Sequence, residues 1–301
     1  MEKLITGTTA YKIFSGDVAA KRLSHAYMLN FPDSKNMREA LVIFARAFFN
    51  ADKNSAEGER ITNGSFTDFK LYPAPDKKFS AETVAHILDD CAMKPVEGRC
   101  KLYCIADFDS ASALLQNKLL KTLEEPLEGI HFLLGVSSLA PVLDTVKSRV
   151  KLLEIPPFTE EQIYLALERR GHKEINAAAA RSANGVLGVA ENMADGGWFQ
   201  EVSSAANEIC RVTDFGGAGQ AALKYGDAKH KTELLGEMQR LYFAALSGGG
   251  LPLTKPALTF ALEKLGGAFA DLKFNASFQG LLYDFLIKVV KENEKWLKLQ
   301  A

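Results

Sequence analysis

Five short runs constrain this chain more than any other feature: AYML (Ala26–Leu29), DFKLY (Asp68–Tyr72), KLYCIA (Lys101–Ala106), HFLLGV (His131–Val136) and VKLLEI (Val150–Ile155). Several are apolar at consecutive positions. A strand with one wet face alternates apolar and polar residues, whereas consecutive apolar residues mark strands covered on both faces, as in a parallel sheet. Helical patterns lie between them, over 35–49, 81–91 and 110–124. Strand and helix in alternation read as a doubly wound α/β domain with a parallel sheet. The clearest helix is Ser110–Glu124, where Ala111, Leu115, Leu119 and Leu123 recur every four residues on one face. Asp109 or Ser110 is placed to cap its start, and Pro126 to stop it.

After Pro156-Pro157 the character changes. Small alanine-rich helical segments run from Phe158 to Met193, punctuated by Gly185 and Gly188, and no strand candidate follows Trp198. Over Leu281–Leu299, Leu282, Phe285, Val289 and Trp296 share a face opposite Lys288, Lys291, Lys295 and Lys298. The expected division is an α/β domain over 1–156, a helical lid over 157–196 and an all-helical domain over 197–301. Gly248-Gly249-Gly250 reads as an inter-helix loop.

The bulk numbers exclude several classes. A formal net charge of -1 argues against a protein that coats nucleic acid by bulk charge and leaves a local basic patch open. No stretch approaches the ~20 apolar residues of a membrane span, and MEKLITGTTAYKIF lacks the apolar core of a signal peptide. The four cysteines, Cys91, Cys100, Cys104 and Cys210, form no CxxC pair. The expectation is no zinc site, reduced thiols and a cytoplasmic location; Cys104 reads as a small buried thiol.

Nucleotide chemistry needs identifiable parts, and here they are degraded. A phosphate loop uses glycine backbone amides to cradle phosphates and a lysine to neutralise them. The loop after the first run is Asn30-Phe31-Pro32-Asp33-Ser34-Lys35-Asn36, with no glycine and an aspartate whose charge opposes phosphate. Lys35 reads as an imitation of the phosphate lysine or as an ordinary first-turn lysine. The third run ends in Ala106-Asp107-Phe108-Asp109, with alanine where a metal-holding carboxylate is needed. Asp107 and Asp109 read also as turn and capping residues. Gly217–Ala222 matches GxGxxA formally, but its surroundings are helical; the glycines are expected to separate helices.

The string ADFDSASALLQNKLLKTLEEPLEGIHFLLGVSSLAPVLDTVKSRV resembles the central signature of bacterial clamp-loader subunits of the AAA+ superfamily, with NKLLKTLEEP (Asn117–Pro126) followed by Thr145-Val146-Lys147-Ser148-Arg149-Val150 for the T-x-x-S-R-C motif. RLSHAYML and FSAETVAHILDDCAMKPVEGRCKLYCIADFD resemble the flanking segments, and the match fades beyond Met193. The degraded nucleotide site makes the resemblance closest to delta-prime-like subunits. Asp107 falls where the catalytic glutamate would stand, and Gly188 about where a motor subunit places its lid arginine. Residues 50–67, where many relatives carry four cysteines, hold neither Cys nor His.

The resemblance implies an AAA+-like domain, a lid and a helical collar. It implies a subunit that is not itself an ATPase and binds no cofactor or metal. Such a subunit serves as stator in a pentamer with gamma/tau-type ATPase and delta-type partners, which acts on a sliding clamp and primed DNA in replication. Arg149, with Ser148, becomes the arginine finger for a neighbour's nucleotide; the alternative is an arginine that closes a turn on carbonyls. The competing function is an active AAA+ ATPase with an unorthodox site of Lys35, Asp107 and Asp109; a third is a stand-alone DNA-binding module.

Overall fold

The computed structural model describes residues 1–75, 77–171, 177–248, 250–272 and 277–300. The chain divides into two compact units: Met1–Lys173 with Ala183–Glu191, and Glu174–Ser182 with Asn192–Ala301.

The first unit is built on five strands, β1 (Ala26–Asn30), β2 (Phe69–Tyr72), β3 (Lys101–Ile105), β4 (Ile130–Val136) and β5 (Lys151–Glu154). All observed pairings are parallel, in the order β2-β3-β4-β1-β5. All five apolar runs are strands, and every residue of β3 is buried, as consecutive apolar residues require. One face packs on α5 (Ala81–Cys91) and α6 (Ala113–Glu124), where Val84, Ile87, Leu119 and Leu123 join Met28, Tyr103 and Phe132. Against the other face lies α3 (Ser34–Phe48). A Cβ on Gly135 would come within 2.6 Å of Met37 Sδ, so the missing side chain lets this helix close on β4.

Three helices of this unit have no counterpart in the apolar pattern. They are α1 (Glu2–Thr6), α2 (Thr9–Ala19) and α4 (Ala56–Thr62). Phe14 of α2 stacks edge-on against Tyr27 and Phe44, at 4.9 and 5.2 Å. Asp17 accepts a 2.8 Å bond from the Tyr27 hydroxyl. A short α7 (Asp144–Lys147) precedes β5, and α8 (Glu160–Arg169) opens with a capping box of Thr159 and Gln162.

The start of α6 differs from expectation. Phe108–Ser110 forms a 3-10 turn, and the helix begins at Ala113 after Ser112. Asp109 does not cap it, because its carboxylate accepts bonds from Ser137 Oγ at 2.6 Å and from the Ser137 and Ser138 amides at 3.2 Å. The turn therefore ties the ends of β3 and β4 together.

Past Arg169 the described chain forms α9 (Ala177–Ser182) and α10 (Leu187–Asp195). Gly185 precedes α10 with φ +79°, and a Cβ there would meet Pro157 Cβ at 2.5 Å and the Phe158 carbonyl oxygen at 2.6 Å. The Phe158 amide donates to the Gly185 carbonyl at 2.9 Å.

The second unit is helical throughout its described residues, with α11 (Trp198–Cys210), α12 (Phe215–Tyr225), α13 (Lys231–Leu246), α14 (Lys255–Leu272) and α15 (Phe278–Gln300). Ile209, Met238, Tyr242, Leu265, Leu282 and Val289 form its core. Glu237, buried on α13, accepts bonds from Ser182 Oγ of α9 and from Arg240, each at 2.5 Å. The Thr254 amide donates to buried Asn293 at 2.8 Å, which anchors the start of α14 to α15.

Gly217–Ala222 lies inside α12 and separates nothing. Asp214 caps this helix by accepting from the Gly217 amide, and Ala218, Ala221 and Ala222 form its buried face. Small residues there let α12 lie close to α15. The middle of the Gly248–Gly250 run, Gly249, lies outside the described residues. Burial raises the thiols of Cys91 to about 11 and Cys210 to about 12, and Cys104 is fully enclosed. No described helix is long and apolar enough to cross a membrane.

Candidate functional site: two ends of one sheet

In a parallel α/β sheet, ligands bind outside the carboxyl ends of the strands. The loop Asn30–Asn36 leaves the carboxyl end of β1 there, and its central residue is buried: Asp33 is 1% exposed. Asp33 is the N-cap of α3. Its carboxylate accepts bonds from the Asn36 amide at 3.2 Å and the Asn36 side-chain amide at 2.9 Å. It also accepts from the Gly188 amide, in the first turn of α10, at 2.8 Å. One carboxylate thus satisfies orphan donors from two helix N-termini, each of which carries partial positive charge.

Gly188 is bare because it must be. A Cβ there would lie 2.4 Å from Asp33 Oδ1 and 2.7 Å from Lys35 Cβ. One turn further, the buried carboxylate of Glu191 is bonded by Arg170 at 2.5 Å and by the Asn36 side chain at 3.3 Å. Lys35 lies 3.4 Å from it, and Arg170 also bonds Glu39 at 2.6 Å. Lys35 therefore faces a carboxylate of its own chain.

The remaining strand ends continue this pattern. Ala106 is fully buried at the end of β3. Asp107 follows in the left-handed region, at φ 52°. Burial, then the neighbouring Asp109, raises its carboxyl above the usual range, against the pull of Arg38. Arg38 donates to the Pro73 carbonyl at 2.6 Å. Of the competing ATPase triad, Lys35 and Asp109 are held by intrachain partners. Among the described residues no His, Cys, Asp and Glu gather as a metal site.

Arg149 lies at the opposite, amino-terminal end, two residues before β5. The length of β1 alone puts ~16 Å between the two ends. Its side chain is 34% exposed and pairs with Glu124 at the end of α6, at 2.5 Å. It also donates to the Thr145 carbonyl at 2.7 Å and to Ser148 Oγ at 3.1 Å. The turn-closing contact foreseen as the alternative role is thus present, and the guanidinium still borders an open pocket of about 480 Å³ shared with Ser24, His25, Ser148 and Lys151.

Gln116, which no motif singled out, sets the base of that turn. It is fully buried, donates to the Ala111 and Pro141 carbonyls at 2.9 and 3.1 Å, and accepts from the Leu143 amide at 2.9 Å. It fixes the chain entering α7, and Arg149 stands two residues beyond the end of that helix. A polar residue on the buried side of an amphipathic helix was the available signal.

A five-stranded parallel sheet in the order β2-β3-β4-β1-β5 with helices on both faces defines an AAA+-like fold. A family model described as DNA polymerase III, delta subunit matches residues 7–159. That is half of the chain, and the chain belongs to this family, as a DNA polymerase III clamp-loader-related subunit. It is 27% identical to DNA polymerase III subunit tau of Bacillus subtilis over 217 residues, 67% of this chain and 38% of tau. With subunit delta' of the same organism it shares 26% over 158 residues, 50% of this chain and 48% of the relative. With subunit tau of Escherichia coli it shares 32% over 156 residues, 50% of this chain and 24% of tau. The chain thus spans less than half the length of these relatives. Among solved structures, a DNA polymerase III gamma subunit-related protein of Thermotoga maritima aligns at TM-score 0.50 and 15% identity, over 94% of this chain and 99% of that one. This last likeness bears on the fold alone.

Proposed function

We propose that the chain is a delta-prime-type clamp-loader subunit that does not hydrolyse ATP and supplies Arg149, steadied by Ser148, to the nucleotide of a neighbouring gamma/tau-type ATPase. It would act as a stator, closing a pentamer with ATPase and delta-type subunits that places a sliding clamp on primed DNA. Its three parts, 1–156, 157–196 and 197–301, would serve as AAA+-like body, lid and collar.

The observation that carries this reading is the separation of the two sites. Arg149 lies at the amino end of the sheet and the loop that corresponds to a phosphate loop at the carboxyl end, so Arg149 cannot serve a nucleotide on its own chain. It reaches phosphate only when a second subunit is stacked head to tail, the arrangement that closes rings. The guanidinium would exchange Glu124 for the transferring phosphoryl group, whose charge it stabilises through its planar fork.

The test is ATP turnover by the fully assembled complex. Arg149→Ala should slow it about tenfold, or ~1.4 kcal/mol of barrier, because this subunit would serve one site of several. Arg149→Lys should not restore it, and Arg169→Ala should leave it unchanged. Equal turnover for wild type and Arg149→Ala, with assembly verified, would leave only a turn-closing arginine.

A further inference from the structure

We infer that Asp33 is a built-in ligand: its carboxylate stands in for a phosphate at the paired N-termini of α3 and α10, excludes polyphosphates from the site and clasps the segment Ala183–Glu191 to the loop after β1. This rests on the reading above only in that the chain works without nucleotide.

The argument is one of position and charge. A helix N-terminus accepts an anion because its first amides point outward unpaired and its dipole favours negative charge. Here two such ends converge on one point, and the anion they hold is covalently part of the chain. It is 1% exposed, so nothing from solvent competes for those amides. The clasp is closed sterically as well, since Gly188 carries no side chain and any Cβ would displace the carboxylate. Around it Lys35 and Arg170 both pair with Glu191, and Arg170 pairs with Glu39 as well.

Wild-type protein, Asp33→Asn and Asp33→Ala are compared by amide hydrogen exchange and by thermal melting with and without millimolar pyrophosphate. Both variants should lose about tenfold or more of the protection at the Gly188 amide. Asp33→Ala should melt roughly 3–8 °C lower, and pyrophosphate should restore part of that loss while leaving the wild type unmoved. Asp33→Asn keeps the shape and one acceptor, so it reports on the charge if the alanine variant does not fold. Wild-type protection at Gly188 in Asp33→Asn would overturn the proposal, as would a variant indifferent to pyrophosphate or a wild type that pyrophosphate stabilises equally. ATP binding by the wild type, measured separately by calorimetry, would instead sink the nucleotide-free reading of the subunit.

Discussion

The carboxyl and amino ends of the sheet hold charged groups in opposite ways. At the carboxyl end, Asp33 and Glu191 are buried, and each is bonded from more than one segment of the chain. At the amino end, Arg149 is a third exposed and paired with one half-exposed glutamate. Buried charge is costly unless its partners are complete, and removing one partner leaves the other stranded. An exposed pair contributes little to stability and exchanges easily. The closed end thus contributes to stability, whereas the open end gives up its pairing at little cost.

Four measurements sharpen or break that contrast. The largest effect is expected at Gln116, which lies behind the open end and is itself closed. Gln116→Ala removes the partners of the Leu143 amide and of the Ala111 and Pro141 carbonyls and should cost about 2–4 kcal/mol in denaturant unfolding. A loss below about 1 kcal/mol would mean that water replaces the side chain. Gly188→Ala at the closed end should cost about 1–3 kcal/mol, since the new methyl collides with Asp33 and Lys35. If it proves neutral, the segment is looser than the contacts describe.

Arg149→Ala should change stability by no more than about 0.5 kcal/mol, and Glu124→Gln by as little. A larger loss for Arg149→Ala would make the turn a structural requirement and weaken the contrast. The smallest effect is one of pH. The bidentate bonds from Arg60, then those from the Thr67 side, hold the Glu97 carboxyl at about 2, below its ordinary 4.5. A depressed carboxyl contributes stability that is present above its unfolded value and lost as pH falls toward its folded one. Stability should therefore fall between about pH 4.5 and 2, and less steeply in Glu97→Gln. Identical acid profiles for the two proteins would exclude Glu97 as a contributor.

Much of the body of the fold was legible because its signals are local. The five apolar runs placed the five strands, and Ser80 before Ala81–Cys91 and Asp33 before α3 are ordinary caps. The helices α1, α2 and α4 escaped because they are short or weakly patterned and owe their place to tertiary contacts, such as Phe14 on Tyr27. The start of α6 was misplaced because Asp109 prefers the amides of Ser137 and Ser138, a choice made across 28 residues of sequence. At the site, the missing glycines and Ala106 could be read directly. That Asp33 fills the place it seals could not, since its partner Gly188 lies 155 residues away and has no side chain to betray an interaction.

Gly185 has a consequence for how such a gene can drift. Loops are ordinarily where relatives differ most. At this one, a substitution meets two separate obstacles: a positive φ that L-residues rarely adopt, and backbone of Phe158 that cannot rotate aside as a side chain would. Val186, beside it, faces neither obstacle and should vary first. Among relatives that keep this turn, position 185 should read as an unvarying glycine, recording a close approach of two backbones that no side-chain pairing would reveal.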